Sequence, residues 1–354
     1  MKKEIPIMFC FDKNYVIPAG VAFFSLMEHA NQNYNYKFYI LHSDINENQQ
    51  ERLKETVANY DNCKIEFINM QNRLEKEWKK SYRGDHFSKE VMYKLLTASI
   101  FPQYDKLIVS DVDVVFLGDI SQSYFELDAI KDDVYIAGVK PVGKTYDYFE
   151  NYKSQWTENE IKQLGETCGG YLVMNLKKIR EDNIEKAFLQ SLKRNAHRLN
   201  QMEQDILNIV CHGKIKQLDL KYVVCSYMWD YYKCEDDFEN DKNYSKEELV
   251  EAMQNPIQLH YATSIKPWKN VNCTKSEIWF EYIVKTPFLK EYLDWLPYNI
   301  VIPKASQIQY VNNGKIKRVC SYIKRNPLFL LKLDFYKKVI NYGKRKFKKH
   351  FNNN

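Results

Sequence analysis

Apolar residues run almost without a break from Ile5 to Phe11, the pattern of a strand covered on both faces. Behind Pro18, whose fixed φ suits a first helical turn, Ala19–His29 carries apolar side chains at helical spacing. Tyr36–His42 reads as a second strand, Asn46–Tyr60 as a charged helix and Lys64–Ile68 as a third strand. A helix is predicted over Ser88–Phe101, followed by the strand Lys106–Ser110. Strands separated by helices build βαβ units, so the predicted class is α/β with a mixed, mainly parallel sheet. Ligands are then expected at the carboxyl ends of the strands.

Beyond Asp119 the pattern loosens. Val134–Val139, Tyr171–Asn175 and Ile257–His260 read as strands, and Lys216–Val224 as an extended segment. Helices are predicted over Leu176–Asn195 and Glu203–Val210. No internal repeat is present, and turn signals gather only near Pro297, Pro303 and Asn312-Asn313-Gly314. They divide the chain into a domain over 1–295 and a basic, aromatic, helical extension over 296–354.

Charge sharpens that division. Residues 311–354 hold 13 Lys and Arg against the single acid Asp334, a charge of +12. The whole chain carries +6, so residues 1–310 carry −6. An acidic body without a nucleic-acid-binding module argues against nucleic acid as partner. The tail fits an amphipathic segment docking on an anionic membrane surface, or more plainly a solvated basic helix. Eight cysteines include no C-x-x-C pair, and Cys10, Cys211 and Cys225 sit in apolar runs, as expected of reduced thiols in a cytoplasm. No run of about 18 apolar residues occurs, so neither a signal peptide nor a membrane span is expected. The expectation is a soluble cytoplasmic enzyme, peripheral on the inner face of the cell membrane if the tail docks there.

The strongest chemical signal is Asp111-Val112-Asp113 after the apolar run Leu107–Ser110. Carboxylates at i and i+2 lie on one side of an extended chain, where they repel unless a cation sits between them. Oxygen ligands of this kind suit Mn2+ or Mg2+. Two solvated aspartates at a strand end would look the same locally, and so would a haloacid-dehalogenase-type phosphatase. The phosphatase, however, places its motif near the start of its domain and needs paired acids after a later strand. Here Asp132-Asp133 precede a strand. His260, with Lys266 six residues on and fixed by Pro267 and Trp268, reads instead as a loop closing over an anion.

Together these residues give a chain that resembles family 8 glycosyltransferases, the retaining enzymes that include bacterial lipopolysaccharide glucosyl- and galactosyltransferases. The likeness runs from about Ile5 to Trp268. It implies a single Rossmann-like domain of GT-A type that binds a nucleotide-sugar. Phe11-Asp12-Lys13-Asn14-Tyr15 is similar to the family's D-x-N-Y. By that match Asp12 binds uracil, Asn14 the nucleoside, and Tyr15 stacks on the base. The resemblance makes Asp111, Asp113 and His260 metal ligands and Lys266 the phosphate-binding lysine. Lys94 stands where the family carries a donor-contacting Arg, and Thr263 where a glycine approaches the diphosphate. Cys168-Gly169-Gly170 occupies the place of Asn-[Ala/Ser]-Gly, with both glycines admitting backbone to the donor. Glu203-Gln204-Asp205 is close to D-Q-D, placing Gln204 under the anomeric carbon and Glu203 on sugar hydroxyls. Asp205 and Glu203 are the candidate transient nucleophiles.

The implied activity moves a hexose, glucose or galactose, from a UDP-sugar to a glycan acceptor, lipid-linked if the tail has a purpose. Cys168, Thr263 and Lys94 depart from the family and keep open a catalytically weak sugar-binding or scaffold protein of the same fold.

Overall fold

The computed structural model describes residues 2–81, 87–128, 133–143 and 155–299. The chain divides at Lys290/Glu291, and the described part of the second unit ends at Asn299. The basic tail, its predicted helices and its docking surface lie outside the described residues.

Among the described residues, ten strands form two sheets. They are β1 (Lys3–Cys10), β2 (Tyr34–His42), β3 (Cys63–Asn69), β4 (Leu107–Ser110) and β5 (Val114–Phe116). The rest are β6 (Ile136–Gly138), β7 (Tyr171–Met174), β8 (Ile215–Gln217), β9 (Val224–Cys225) and β10 (Gln258–His260). The larger sheet has the order β3-β2-β1-β4-β7-β6-β8. Strands β1 to β4 run parallel, β7 is antiparallel to both β4 and β6, and β8 is parallel to β6. A smaller sheet, β5-β10-β9, stands beside the carboxyl end of β4. The mixed, mainly parallel α/β architecture is the one the hydrophobic pattern predicts.

Burial explains which elements formed. Residues Ile5–Cys10 of β1 are covered on both faces, because β1 lies inside the sheet and the helix Val16–His29 buries Ala19, Val21, Ala22, Phe23, Leu26 and Met27. The helix Glu47–Val57 is polar along most of its length and needs its amino end secured. Asn46 and Gln49 do this with a reciprocal capping box.

Three predicted elements differ. Ser88–Phe101 is not one α-helix but a 3-10 segment, Lys89–Leu96, leading into the short helix Thr97–Ile100. Every residue from Met92 to Leu96 is buried, so the segment has no solvent face for an amphipathic α-helix to present. Leu176–Asn195 breaks into Leu176–Glu181 and Ile184–Asn195, because Asn183 turns left-handed at φ 56°. Asn tolerates that conformation better than a branched residue would. Lys216–Val224 is extended only at its ends, and Asp219 caps an intervening 3-10 turn, Leu220–Val223.

Candidate active site

Asp111-Val112-Asp113 forms the corner where the chain leaves β4 for β5, and so passes from the larger sheet to the smaller. Alternation holds through the corner: Val112 is 3% exposed, while the flanking carboxylates face the opposite side. Each aspartate is placed by a different sheet. Asp111 N–H donates to Gly170 O at 3.0 Å, continuing the pairing of Ser110 with Tyr171. Asp113 O accepts from Tyr261 N–H at 2.9 Å, continuing the pairing of Val114 with His260. Gln258, fully buried, donates to Ser110 Oγ at 2.9 Å and ties the two sheets at this point.

The register brings three candidate ligands together. His260 Nε2 lies 3.2 Å from Asp113 Oδ1 and 3.8 Å from Asp111 Oδ2. One ligand atom from each of Asp111, Asp113 and His260 falls within 4.8 Å of the others. Two carboxylate oxygens and one imidazole nitrogen at that spacing fit a divalent cation. Lys266 Nζ donates to Asp113 Oδ2 at 2.5 Å and to Tyr261 O at 2.6 Å. Burial alone would raise the Asp113 carboxyl, but Lys266 and His260 overcome it and hold the group well below the usual carboxylate range. Burial likewise opposes charge on His260, yet Asp113 reverses the effect and pushes the imidazole up to about 10.

Gly170 has a sharper reason than donor access. A Cβ there would lie 2.6 Å from His260 Cε1 and 2.8 Å from Nδ1, so the bare Cα is what lets the imidazole reach Asp113. Gly170→Ala is therefore expected to push the ring aside and lower Mn2+ affinity by about 10–100-fold, measured by calorimetry. Unchanged affinity would show that the ring position is not what Gly170 protects. Gly169 is less tightly confined, with Gln204 Cβ and Glu203 Oε1 both 3.3 Å from the added atom.

Beneath the aspartates lies a buried ion cluster. Lys94, 1% exposed, donates to Asp111 Oδ1 at 2.7 Å, Glu203 Oε1 at 2.8 Å and Gly169 O at 3.0 Å. Burial would discharge the ammonium, but Asp111 and Glu203 together keep it protonated. All three of its protons are used within the protein. The resemblance gave Lys94 a donor contact; the structure makes it the support of Asp111, Glu203 and the Gly169 turn. Glu203 is 4% exposed, and burial raises its carboxyl despite Lys94.

The rest of the Glu203 run separates by environment. Gln204 Oε1 accepts from Gly169 N–H at 2.7 Å, so the amide oxygen holds the glycine turn. Asp205 is fully buried, and its Oδ2 accepts from the N–H groups of Asn200 and Gln201 at 2.8 and 3.0 Å. It stitches the loop before the helix Glu203–Cys211, and its partners are loop amides, not groups of the cation cluster. Burial pushes Asp205 up to about 7 against those two hydrogen bonds. An unfolded aspartate ionises near 4, so the native state holds the extra proton between pH 4 and 7 and stability falls as pH rises through that window. Asp205→Asn keeps an acceptor for both amides and removes the ionisation. Wild type is expected to lose up to about 4 kcal/mol more than the variant between pH 4 and pH 8, read from urea midpoints. Parallel profiles would contradict the assignment.

At the other end, Asp12 holds the turn Lys13–Tyr15. Its Oδ1 accepts from Asn14 N–H at 2.9 Å and its Oδ2 from Asn14 Nδ2 at 3.0 Å. Tyr15 meets Trp268 edge-on with ring centroids 5.7 Å apart, so the N-terminal turn and the Lys266 loop share a wall. Burial, then the charge of Asp113, raises the Tyr15 phenol. Thr263 turns back on its own loop, exchanging hydrogen bonds with Ile265 N–H and O at 3.3 and 3.2 Å. Cys168 is half-buried, its N–H donating to Val139 O at 2.8 Å, and burial raises its thiol. Trp268 was legible as a loop anchor in the sequence; its contact with Tyr15 was not.

Comparison with known proteins adds the lineage. Residues 6–272 match the model of glycosyl transferase family 8. The chain belongs to glycosyltransferase family 8. That membership sets the phosphatase reading aside and implies a nucleotide-sugar donor and a glycan acceptor. Among its curated relatives, General stress protein A of Bacillus subtilis is 23% identical over 304 residues, covering 84% of this family 8 chain and 96% of the relative. The lipopolysaccharide 1,3-galactosyltransferase of Salmonella typhimurium is 22% identical over 292 residues, covering 80% and 76%. Among solved structures, galactosyltransferase LgtC in complex with donor and acceptor sugar analogues superposes with a TM-score of 0.62. It is 17% identical and covers 80% of this chain and 96% of its own. The fold is thus that of the GT-A-like family 8 enzymes.

Proposed function

We propose that the chain is a retaining hexosyltransferase that takes glucose or galactose from a UDP-sugar and adds it to a saccharide of a cell-surface glycan. The observation that carries this reading is the convergence of Asp111, Asp113 and His260 beside Lys266, in a family 8 chain. Asp111, Asp113 and His260 would hold Mn2+ or Mg2+, which supplies positive charge to the donor's diphosphate. Lys266, 8% exposed and already paired with a carboxylate, would neutralise charge developing on the leaving diphosphate. Tyr15, braced by the buried Trp268, would offer ring surface to a base, and Asp12 and Asn14 polar groups to a nucleoside.

At the sugar, Gln204 has its oxygen on Gly169, so its amide nitrogen is what it offers the donor. An amide nitrogen is a poor nucleophile, Asp205 is sealed away, and Glu203 is buried with one oxygen held by Lys94. Same-face attack follows. The bond from the anomeric carbon to the diphosphate breaks with its electron pair going to phosphate. The acceptor oxygen bonds to the same face, and its proton passes to the departing phosphate oxygen. Incubating the protein with a panel of UDP-sugars and Mn2+, without acceptor, should reveal slow hydrolysis of one hexose donor. No turnover of any would favour a sugar-binding protein of the same fold.

The +12 tail supports a further part of the proposal, docking on anionic lipid at the inner face of a membrane, where a lipid-linked acceptor would be found. Removing residues 311–354 should release the protein from phosphatidylglycerol vesicles. Continued pelleting with them would sink the anchor.

A further inference from the structure

His260 turns Nε2 towards Asp113 and Asp111, so its second ring nitrogen points into the protein. Nδ1 is sealed from solvent in a residue 7% exposed, and no oxygen or nitrogen among the described residues pairs with it. A metal-ligating histidine ordinarily gives its other N–H to a neighbouring acceptor, which fixes the rotation and tautomer of the ring. Leaving that hydrogen unpaired in a dry interior is costly.

Three residues close around the ring. Val114, the register partner of His260 on β5, has an apolar side chain, and Gly170 has none. Cys225 is the register partner on β9 and is 5% exposed. Register partners share a face of the sheet, so the Cys225 side chain stands beside the imidazole. Ser226 N–H, donating to His260 O at 2.8 Å, holds the two strands together there. Two further observations put the sulfur on the Nδ1 side. A Cβ on Gly170 would lie 2.8 Å from Nδ1, so that nitrogen faces the turn Cys168–Gly170. The Cys225 thiol faces the same turn, for after burial it is what most raises the Cys168 thiol. Against burial, Asp113 and then the Cys225 sulfur favour the charged form of His260. The sulfur contact is looser than the 3.2 Å contact at Nε2, as befits a weak acceptor.

We propose that Cys225 is a positioning residue for the cation site: its sulfur accepts the Nδ1 hydrogen of His260 and so holds Nε2 towards Asp111 and Asp113. This rests on His260 being a metal ligand, as in the transferase reading above, and gives a task to a thiol that reading leaves unused. Gly170 and Cys225 act together, the first making room for the ring and the second setting its rotation. A hydroxyl in place of the thiol would still accept the hydrogen. An apolar side chain of the same size would not.

The test compares Cys225→Ser with Cys225→Val in the full chain, reading Mn2+ affinity by calorimetry. A sulfur that served packing alone would be replaced well by valine and poorly by a buried hydroxyl. Positioning predicts the reverse order. Cys225→Val should lose about 10–100-fold in Mn2+ affinity, while Cys225→Ser should stay within about threefold of wild type. Valine matching wild type would overturn the proposal, and so would equal losses in the two variants. A second measurement does without the valine variant. In protein labelled with 15N-histidine and loaded with Mg2+, the Nδ1 hydrogen of His260 should change its proton shift in Cys225→Ser, because its acceptor has changed from sulfur to oxygen. An unmoved shift would count against the contact and overturn it. Failure of wild type to bind either cation is a distinct result, which removes the metal site and the transferase reading with it.

Discussion

Asp113→Asn is expected to lower UDP-sugar turnover by on the order of a thousandfold, because several kcal/mol of charge stabilisation depend on this one carboxylate. Asp113 is the meeting point of the site: one oxygen faces His260 at 3.2 Å, the other Lys266 at 2.5 Å. The amide is nearly isosteric, so the fold should survive, but it cannot neutralise a cation, and two positive groups would then face each other across it. Calorimetry should show Mn2+ affinity falling in parallel with turnover. A variant with near-normal activity would remove the metal assignment. The pH dependence has a definite sign. Asp113 ionises well below its unfolded value, so the stability it contributes is present above about pH 4 and is lost as pH falls through the native pKa. Asp113→Asn should therefore flatten the acid limb of the stability profile.

Lys94→Met should have the largest effect on stability. Removing one partner from a buried ion cluster leaves uncompensated charge and costs about 3–5 kcal/mol, a fall of about 10 °C in Tm for a domain of this size. Here two carboxylates, Asp111 and Glu203, would lose their shared cation. Adding Glu203→Gln to Lys94→Met should recover about 1–3 kcal/mol, since it removes one of the stranded charges. Additive losses in the double variant would show that the ion pairs are not the origin of the effect. Mn2+ affinity should fall about 10–100-fold in Lys94→Met, because Asp111 loses the hydrogen bond that orients it.

The two predictions also mark where sequence and structure part. Asp111 and Asp113 were visible because an apolar strand ended in them, and His260 because a short strand preceded it and Lys266 followed. Their convergence depends on β5 pairing with β10, a contact across nearly 150 residues that no local pattern encodes. Lys94 was found only through the family resemblance and taken as a ligand-facing group. Its burial reflects two acids arriving from distant segments, which periodicity cannot show. Gly170 was read as room for a substrate, and its close approach to the His260 ring was not foreseen. Some misses were avoidable. The helices Glu158–Leu164 and Lys246–Gln254 start from Thr157-x-x-Glu160 and Ser245-x-x-Glu248, and both capping boxes are plain in the sequence. The break at Asn183 was not, since a single left-handed residue leaves no periodic trace.

The corner at Asp111–Asp113 has a consequence for how the molecule opens. β5, β9 and β10 are three, two and three residues long, too short to resist fraying on their own hydrogen bonds. A ligand gripped at once by Asp111 on the larger sheet and by His260 on the smaller would act as a rivet between them. Amide exchange in the small sheet would then slow towards that of β4, and donor occupancy could be followed from backbone protection there.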